Sequence, residues 1–208
     1  MGIRLVRMDQ PGAVDDEAIW EYLQACRARP EDEAAGLGPL EDCHSLDEVR
    51  RFGLPEVARQ ARGDDLPPGF VPALQFAAMD PSGKLVGMIQ LRLQLTEALL
   101  RSGGNIGYSV RPDCRRLGYA GLMLDDCLRR AAALGMSRVL ITCSPSNLAS
   151  RRTILSRGGQ LENVLLSSFG QPVERYWIDC SLRSFVGGLD QLLPVKPRQQ
   201  EQSRFDEI

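Results

Sequence analysis

Lysine is nearly absent from this chain of 208 residues. Lys84 and Lys196 are the only two, so arginine supplies almost all of the 25 basic side chains. These side chains form no basic run and the formal net charge is −2, so nothing indicates a nucleic-acid partner. Arginine is the better planar partner for phosphates and carboxylates, although a bias in genomic base composition is the simpler explanation for its excess.

Clustered metal ligands and paired cysteines are also missing. His44 is the only histidine, and the six cysteines show no C-x-x-C spacing. We therefore predict no metal site, and we expect reduced thiols rather than a disulfide framework. His44 lies in a loop-rich stretch and is expected at the surface rather than in a catalytic role.

Long apolar segments are missing as well. There is no charged-then-apolar segment at the N-terminus and no apolar run of about 18 residues or more. We expect a cytoplasmic protein with no membrane partner. The content of 43% hydrophobic and 25% charged residues is typical of a soluble globular protein. The length predicts a single domain over residues 1–183, followed by a partly disordered C-terminal extension over residues 184–208.

Apolar periodicity and turn residues predict most of the elements. The first part of the chain contains a strand, two helices and a β-hairpin around Asp80-Pro81-Ser82-Gly83. The first strand covers Arg4–Met8. The first helix is capped by Asp15 or Asp16 and runs to about Arg29, with Ala18, Ile19, Tyr22, Leu23 and Cys26 on one face. The second helix starts at Ser45 or Asp47 and runs to about Arg62, and the hairpin strands cover Ala73–Met79 and Leu85–Leu95. The chain ends in a second hairpin with strands over Gln160–Ser168 and Pro172–Cys180.

The segment from Asn105 to Gly159 is the most informative. It predicts a strand over Asn105–Val110, a helix from about Arg116 to Leu134, an apolar strand over Arg138–Cys143, and a helix capped by Ser146 or Asn147. A strand, a helix and a further strand in this order form a right-handed parallel crossover.

The turn before the first of these two helices contains Gly118 and Ala120. A helix N-terminus offers unpaired N–H donors and a partial positive charge, and small residues let those donors approach a phosphate. Arg115 and Arg116 add two cations at the same end. Phosphate binding and simple close packing of the helix on the sheet are equally consistent with this pattern.

The hexad Arg115-x-x-Gly118-x-Ala120 resembles the acyl-CoA signature of the GNAT superfamily of N-acetyltransferases. Asn147 and the run Ala149-Ser150-Arg151-Arg152 resemble the second region of that family that contacts pantetheine. The resemblance covers about Leu74 to Cys180. It implies an α/β (α+β) fold with a mixed, mostly antiparallel central sheet of about seven strands, a splayed parallel central pair and about four flanking helices.

The resemblance also implies a set of residues that bind acetyl-CoA. The pyrophosphate would be held by backbone amides of the loop, and the pantetheine arm by the backbone of the splayed strand and by the second region. The residues are Arg115, Arg116, Leu117, Gly118, Tyr119 and Ala120 in the loop, Tyr108, Ser109 and Val110 in the strand, and Asn147 and Ser150 in the second region. Asn147 also fits a plain N-cap, and the two roles are compatible.

The catalytic residues depart from the family pattern. Many members carry a tyrosine acid seven residues after the asparagine, and here that position is Ile154. Tyr108 is then our candidate for the general acid, and Glu97, just before the acyl-bearing strand, for the general base. Further possibilities are Glu162 or Glu174 as base and Asn105 as an orienting group. Cys143 fits either an acyl-cysteine nucleophile or an inert buried thiol.

The leading hypothesis is a transferase that moves an acetyl group from acetyl-CoA to a primary amine of a small molecule or peptide, by direct attack in a ternary complex. The rival is a catalytically silent CoA-binding or interaction module, because Ile154 replaces the tyrosine. A nucleotide-binding domain is a poorer fit, since no G-x-G-x-x-G is present. The acceptor pocket is expected between the first two helices, the loop Pro30–Leu40 and the segment Thr96–Gly104, and a homodimer is plausible.

Overall fold

The computed structural model describes residues 2–29 and 34–181. These residues form seven strands and six α-helical segments. The strands are β1 (Arg4–Arg7), β2 (Ala73–Met79), β3 (Leu85–Arg92), β4 (Ile106–Val110), β5 (Arg138–Cys143), β6 (Gln160–Leu166) and β7 (Pro172–Asp179). The helices are α1 (Asp16–Arg27), α2 (Leu46–Glu48), α3 (Leu54–Arg62), α4 (Glu97–Arg101), α5 (Tyr119–Ala133) and α6 (Leu148–Leu155).

The strands form two antiparallel sheets, one in the order β1-β2-β3-β4 and the other in the order β5-β7-β6. The predicted hairpin joins β2 to β3, and Asp80 Oδ1 accepts hydrogen bonds from the backbone N–H groups of Ser82 and Lys84 in its turn. The predicted terminal hairpin joins β6 to β7. Side chains of β2 and β3 alternate between two apolar cores, because successive residues of a strand point to opposite faces. Phe76 and Ile89 enter one core, and Ala77 and Met88 the other.

The N-terminal helices cover one face of the first sheet. The buried side of α1 consists of Ile19, Tyr22, Leu23 and Cys26, as the sequence predicts. The predicted second helix is a continuous helical run of α2, a π-turn over Val49–Gly53, and α3. Ser45 caps it by accepting from the N–H of Glu48 at 3.1 Å. Counting that run as one, five helices flank the sheets rather than the predicted four.

The two sheets meet at Asn105, immediately before β4. The N–H of Asn105 donates to the carbonyl of Leu140 in β5 at 2.7 Å, and its side-chain Oδ1 accepts from the N–H of Leu140 at 2.8 Å. Asn105 thus acts as both a backbone and a side-chain partner of β5. Within the described residues no ladder pairs β4 with β5, so the single central sheet expected from the sequence is present as two sheets.

The second sheet and its helices complete the other core. The α5 helix begins at Tyr119, three residues later than predicted, and places Met123, Leu124, Cys127, Leu128 and Ala131 in the core. Only Ile154 of α6 is buried. The six cysteines all lie in the described residues and are buried thiols, as expected. The predicted C-terminal extension lies outside the described residues, and the domain boundary at residue 183 stays a prediction.

The loop before α2 presses on β4 at a pair of glycines. Gly36 has φ +78°, and a methyl group on it would overlap the carbonyl oxygen of Gly107. The change Gly36→Ala should therefore lower the free energy of unfolding by about 3 kcal/mol, because overpacking adds to left-handed strain. Urea denaturation measures the loss. Gly12→Ala is the matched control, since Gly12 has φ +71° and open space around it. Equal losses in the two variants would show that the loop does not press on β4.

Candidate functional site

A row of free backbone donors precedes and begins α5. Within the described part of the chain, no carbonyl or side-chain acceptor pairs with the N–H groups of residues 116–120. We call these five groups the amide row. The first turn of a helix leaves its N–H groups unpaired, and here the row extends into the preceding loop. The row carries the positive end of the helix dipole, which favours an anion.

Two left-handed residues shape the amide row. Arg116 has φ +63° and Gly118 has φ +78°. Left-handed residues within a turn direct successive N–H groups toward one point, which produces an anion-binding concavity. Arg116, Leu117 and Gly118 are exposed, whereas Tyr119 is buried. The backbone of the predicted loop residues therefore has a geometry suited to a phosphate group.

The strand β4 is fixed by contacts from two sides. The Tyr22 hydroxyl, from α1, donates to the carbonyl of Ser109 at 3.0 Å and lies 3.0 Å from the Ser109 hydroxyl. The carbonyl of Val110 accepts from Arg115 Nε at 3.3 Å. Arg115 thus links the end of β4 to the start of the amide row. Tyr22 is a residue that the sequence marks only as part of an apolar helix face.

The side chain of Tyr108 reaches from β4 to α6. Its hydroxyl lies 2.9 Å from the Ser150 hydroxyl. Asn147 caps α6 by accepting from the Ser150 N–H at 3.0 Å, as one of the two predicted roles requires. Burial raises the pKa of Tyr108 to about 12. The structure thus brings together Tyr108, Asn147 and Ser150, three of the residues predicted for the coenzyme site.

Ile154 lies one helical turn beyond Ser150 and is fully buried. Its side chain packs so closely on Gly159 that a methyl group there would overlap it. Position 154 therefore belongs to the apolar core and offers no group that titrates. The phenol of Tyr108, which β4 carries, contacts α6 at Ser150, four residues before Ile154.

A buried polar cluster lies beside Ser150. Glu174 Oε2 accepts from the Tyr176 hydroxyl at 2.6 Å and from the Cys143 thiol at 3.9 Å. Its Oε1 lies 3.6 Å from Arg151 Nη1. We call Cys143, Arg151, Glu174 and Tyr176 the carboxyl cluster. The β5–β7 register, in which Cys143 is opposite Glu174, creates it, and single-sequence patterns do not reveal that register.

Burial and Glu174 change the pKa values of two members of the carboxyl cluster, Cys143 and Tyr176. Burial, followed by the nearby Glu174 carboxyl group, raises the pKa of the Cys143 thiol to about 11. A thiol is a poor nucleophile until it ionises, so this environment favours the inert thiol over the acyl-cysteine alternative. Burial and a hydrogen bond to Glu174 raise the pKa of Tyr176 to about 12.

The remaining candidates lie apart from Tyr108. Glu97 is exposed at the start of α4 and lines a shallow groove with Leu100, Arg101, Leu165 and Arg175. Glu162 pairs with Arg175 at 2.6 Å, and His44 is exposed. Within the described residues, no hydrogen bond or ion pair joins Glu97 or Glu162 to β4. Asn105 is committed to joining the two sheets.

Arg157 is a further cation that sequence reasoning missed. Its guanidinium occupies the space that a side chain at Gly121, in the first turn of α5, would need. Its Nη2 also lies 3.2 Å from Asp125 Oδ2. Local sequence patterns do not show this contact, because Gly121 and Arg157 are far apart in the chain.

Comparison with protein families decides the class of this molecule. A family model described as an acetyltransferase (GNAT) domain matches residues 6–160. The chain belongs to the GNAT acetyltransferase family. It is therefore an N-acetyltransferase by family, and this family uses acetyl-CoA as its acyl donor. No curated protein matches the chain in a sequence search.

Solved structures with this GNAT fold include spermidine N-acetyltransferases from Vibrio cholerae. A dodecameric SpeG in an intermediate state has a TM-score of 0.58 at 16% identity, with 86% of this chain and 94% of that chain covered. A SpeG complex with manganese ions has a TM-score of 0.56 at 15% identity, with the same shares of 86% and 94%. At such identities the likeness establishes the fold of the GNAT domain.

Two further features of the GNAT domain concern metal binding and membrane insertion. Across residues 2–29 and 34–181, no three histidine, cysteine or acidic side chains gather closely enough to hold a metal ion. In the same residues, no helix has both the length and the apolar character that crossing a bilayer requires.

The packing of Ile154 makes a testable distinction within the family. Ile154→Tyr restores the residue type that many GNAT members carry, but we expect it to lower the free energy of unfolding by about 2 kcal/mol, because the site has no space. It should not raise kcat. Leu155→Tyr is the control, since Leu155 is 48% exposed and should change stability by less than about 0.5 kcal/mol. A stable and faster Ile154→Tyr enzyme would contradict this account.

Proposed function

We propose that this protein transfers an acetyl group from acetyl-CoA to a primary amine, by direct attack in a ternary complex. The observation that carries the proposal is the amide row. Five unpaired N–H donors at a helix N-terminus, next to Arg115 and Arg116, match the charge and hydrogen-bonding needs of a diphosphate. The family assignment supplies the chemical class, and the amide row supplies a place for the donor.

The chain's own residues fit acetyl-CoA along one path. The backbone of residues 115–120 would hold the pyrophosphate. Tyr108, Ser109 and Val110 of β4 would hold the pantetheine arm, with Asn147 and Ser150 on its other side. We further propose that β4 and β5 run parallel and part beyond Asn105 to receive this arm. The fixed positions of β4, through Tyr22 and Arg115, would keep that path in place.

Acetyl-CoA supplies an activated thioester, and the protein must stabilise charge and move protons around it. A backbone N–H of β4 can stabilise negative charge on the carbonyl oxygen. The Tyr108 phenol can donate its proton to the departing sulfur. An alkyl ammonium has a pKa of roughly 10 and must lose a proton before attack. We retain Glu97 as the proposed base, acting from the groove beside α4.

Polyamines are the first acceptors to test. The structural neighbours are spermidine N-acetyltransferases by name, and Glu41 and Asp42, near the expected acceptor pocket, are exposed carboxylates. Glu31, Asp32 and Glu33 would add to this charge but lie outside the described residues. A small amine or a peptide amino group remains the proposed acceptor class.

Calorimetry tests the donor half of the proposal. Titration of the protein with acetyl-CoA and with CoA should give saturable heat with one site per chain. Dephospho-CoA and free pantetheine test the role of the amide row, because dephospho-CoA keeps the diphosphate and pantetheine lacks it. Absence of heat with acetyl-CoA and CoA would overturn the proposal.

Thiol release tests the acceptor half. The protein is incubated with acetyl-CoA and one amine in each reaction, and the free thiol released is measured. The amines are spermidine, spermine, amino acids, aminoglycosides and short peptides, and mass spectrometry identifies the acetylated products. Acetylation of at least one amine, dependent on the enzyme, is expected.

The second candidate is a silent CoA-binding module. The buried Ile154, in place of a tyrosine, motivates it. Binding of CoA without turnover on any amine of the panel would favour it over the transferase, and a Tyr108→Phe variant that matches the wild type in every assay would add to that case.

Assembly and location are also proposals. One structural neighbour is a dodecamer, and we propose that this chain forms at least a homodimer in the cytoplasm. The edge strand β6 exposes Leu161, Val164 and Leu166, and an apolar edge strand is a ready surface for association. Light scattering measures the mass of the assembly.

A further inference from the structure

The carboxyl group of Glu174 occupies a position where the fold calls for an apolar side chain. On β7 its neighbours on the same face are Tyr176 and Ile178, and all three are at most 5% exposed. Burying a carboxyl group is unfavourable unless it is paired and hydrogen-bonded. Departures from a consistent apolar pattern concentrate at functional sites.

Within the described residues, the polar groups in contact with Glu174 come from β5, α6 and β7 itself. Tyr176 faces it from β7, Cys143 from β5 and Arg151 from α6. Its cross-strand partner on β6 is the apolar Val164. Arg151 follows Ser150 directly in the chain, and Ser150 contacts the phenol of Tyr108 at 2.9 Å.

The short helix α6 buries little of its own surface. It has eight residues and a single buried side chain, Ile154, near its C-terminal end. One apolar anchor fixes the position of that end but not the rotation of the first turn. The contact of Arg151 with Glu174 supplies a second anchor, close to Ser150.

We propose that Glu174 is a positioning residue for Tyr108, acting through Arg151 and Ser150 of α6. Holding Arg151 fixes the first turn of α6, the first turn fixes Ser150, and Ser150 fixes the phenol. The inference rests on the proposed role of Tyr108 as the group that protonates the sulfur. It explains why a buried carboxyl group lies next to a helix that would otherwise be weakly held.

Kinetics of a mutant cycle test the inference. Glu174→Gln keeps the shape but removes the charge that holds Arg151. We expect kcat to fall about tenfold with KM for acetyl-CoA within about twofold. If Glu174 acts through Tyr108, the double variant Glu174→Gln, Tyr108→Phe should be no slower than Tyr108→Phe alone. Losses that multiply would overturn the inference while leaving the role of Tyr108 intact.

Carbon-13 NMR gives a readout that does not depend on activity. Protein labelled at tyrosine Cζ gives four signals to assign, since the chain has four tyrosines, and Tyr108→Phe identifies that of Tyr108. Glu174→Gln should shift this signal in the free protein. Glu162→Gln, which alters another carboxylate–arginine pair of the same sheet, should leave it unchanged. An unmoved signal in Glu174→Gln would overturn the inference.

A surface variant guards against misfolding of Glu174→Gln. Arg151→Met removes the guanidinium partner of Glu174, which is the half-exposed member of the pair. Thermal melting should show that this variant is folded. It should shift the Tyr108 signal and lower kcat in the same direction. A folded Arg151→Met protein with a wild-type signal and rate would overturn the inference. A wild-type rate for Tyr108→Phe would instead overturn the proposed acid, while the NMR result would still report on positioning.

Discussion

Replacement of Tyr108 by phenylalanine is expected to lower kcat by about a hundredfold and to leave KM for acetyl-CoA within about threefold. A positioned general acid contributes about 10²-fold to 10⁴-fold, and the substitution removes only the hydroxyl. The phenol is a titratable group that β4 carries and that contacts α6 through Ser150. Initial rates of thiol release over a range of both substrates measure the effect.

The pH dependence of the wild type adds a sharper requirement. Because the pKa of Tyr108 is raised to about 12, its protonated form persists well above neutral pH. Any fall of kcat between pH 7 and pH 10 should therefore be equal in the wild type and in Tyr108→Phe, apart from the constant difference in rate. Ser156→Ala, an exposed serine at the other end of α6, is the control for changes to that helix. A Tyr108→Phe enzyme with full kcat would remove Tyr108 from the chemistry.

The second large effect is expected at the amide row. Gly118→Val should raise the Kd for acetyl-CoA at least tenfold, or about 1.4 kcal/mol. Gly118 has φ +78°, which a β-branched residue adopts only with strain, so the loop should relax and turn its N–H groups away from one another. Calorimetric titration measures the affinity.

A glycine at the other end of the same helix provides the matched control. Gly135 has φ +83° and, like Gly118, has open space where a side chain would be added. Gly135→Val should therefore carry a similar loss of stability with no change in affinity. Equal weakening of acetyl-CoA binding in both variants would mean that global stability, rather than the geometry of the row, controls affinity.

Local patterns predicted the elements of this fold well. The hairpin around Asp80 and the apolar faces of α1 and α5 follow from turn residues and periodicity, which are short-range signals. The start of α5 was wrong by three residues for a physical reason. Arginine rarely adopts a left-handed conformation, so nothing in the residue type shows that Arg116 belongs to the loop rather than to the helix.

Contacts between distant segments could not be predicted in the same way. The hydroxyl of Tyr22 meets Ser109 across 87 positions of the chain, and Glu174 meets Cys143 only because β5 and β7 pair in one register. A shift of one residue would turn Glu174 to the opposite face. The family resemblance located Tyr108 and Ser150 separately, but only the fold brings the phenol and the hydroxyl into contact.

The double attachment of Asn105 has a mechanical consequence. It fastens one sheet to the other at the root of β4, and in the described residues no ladder repeats that fastening farther along the strand. An extended segment placed between β4 and β5 beyond this point, as we propose for the pantetheine arm, would break no ladder hydrogen bond of either sheet. Admission of such a segment would then displace side-chain contacts rather than the hydrogen bonds of either ladder.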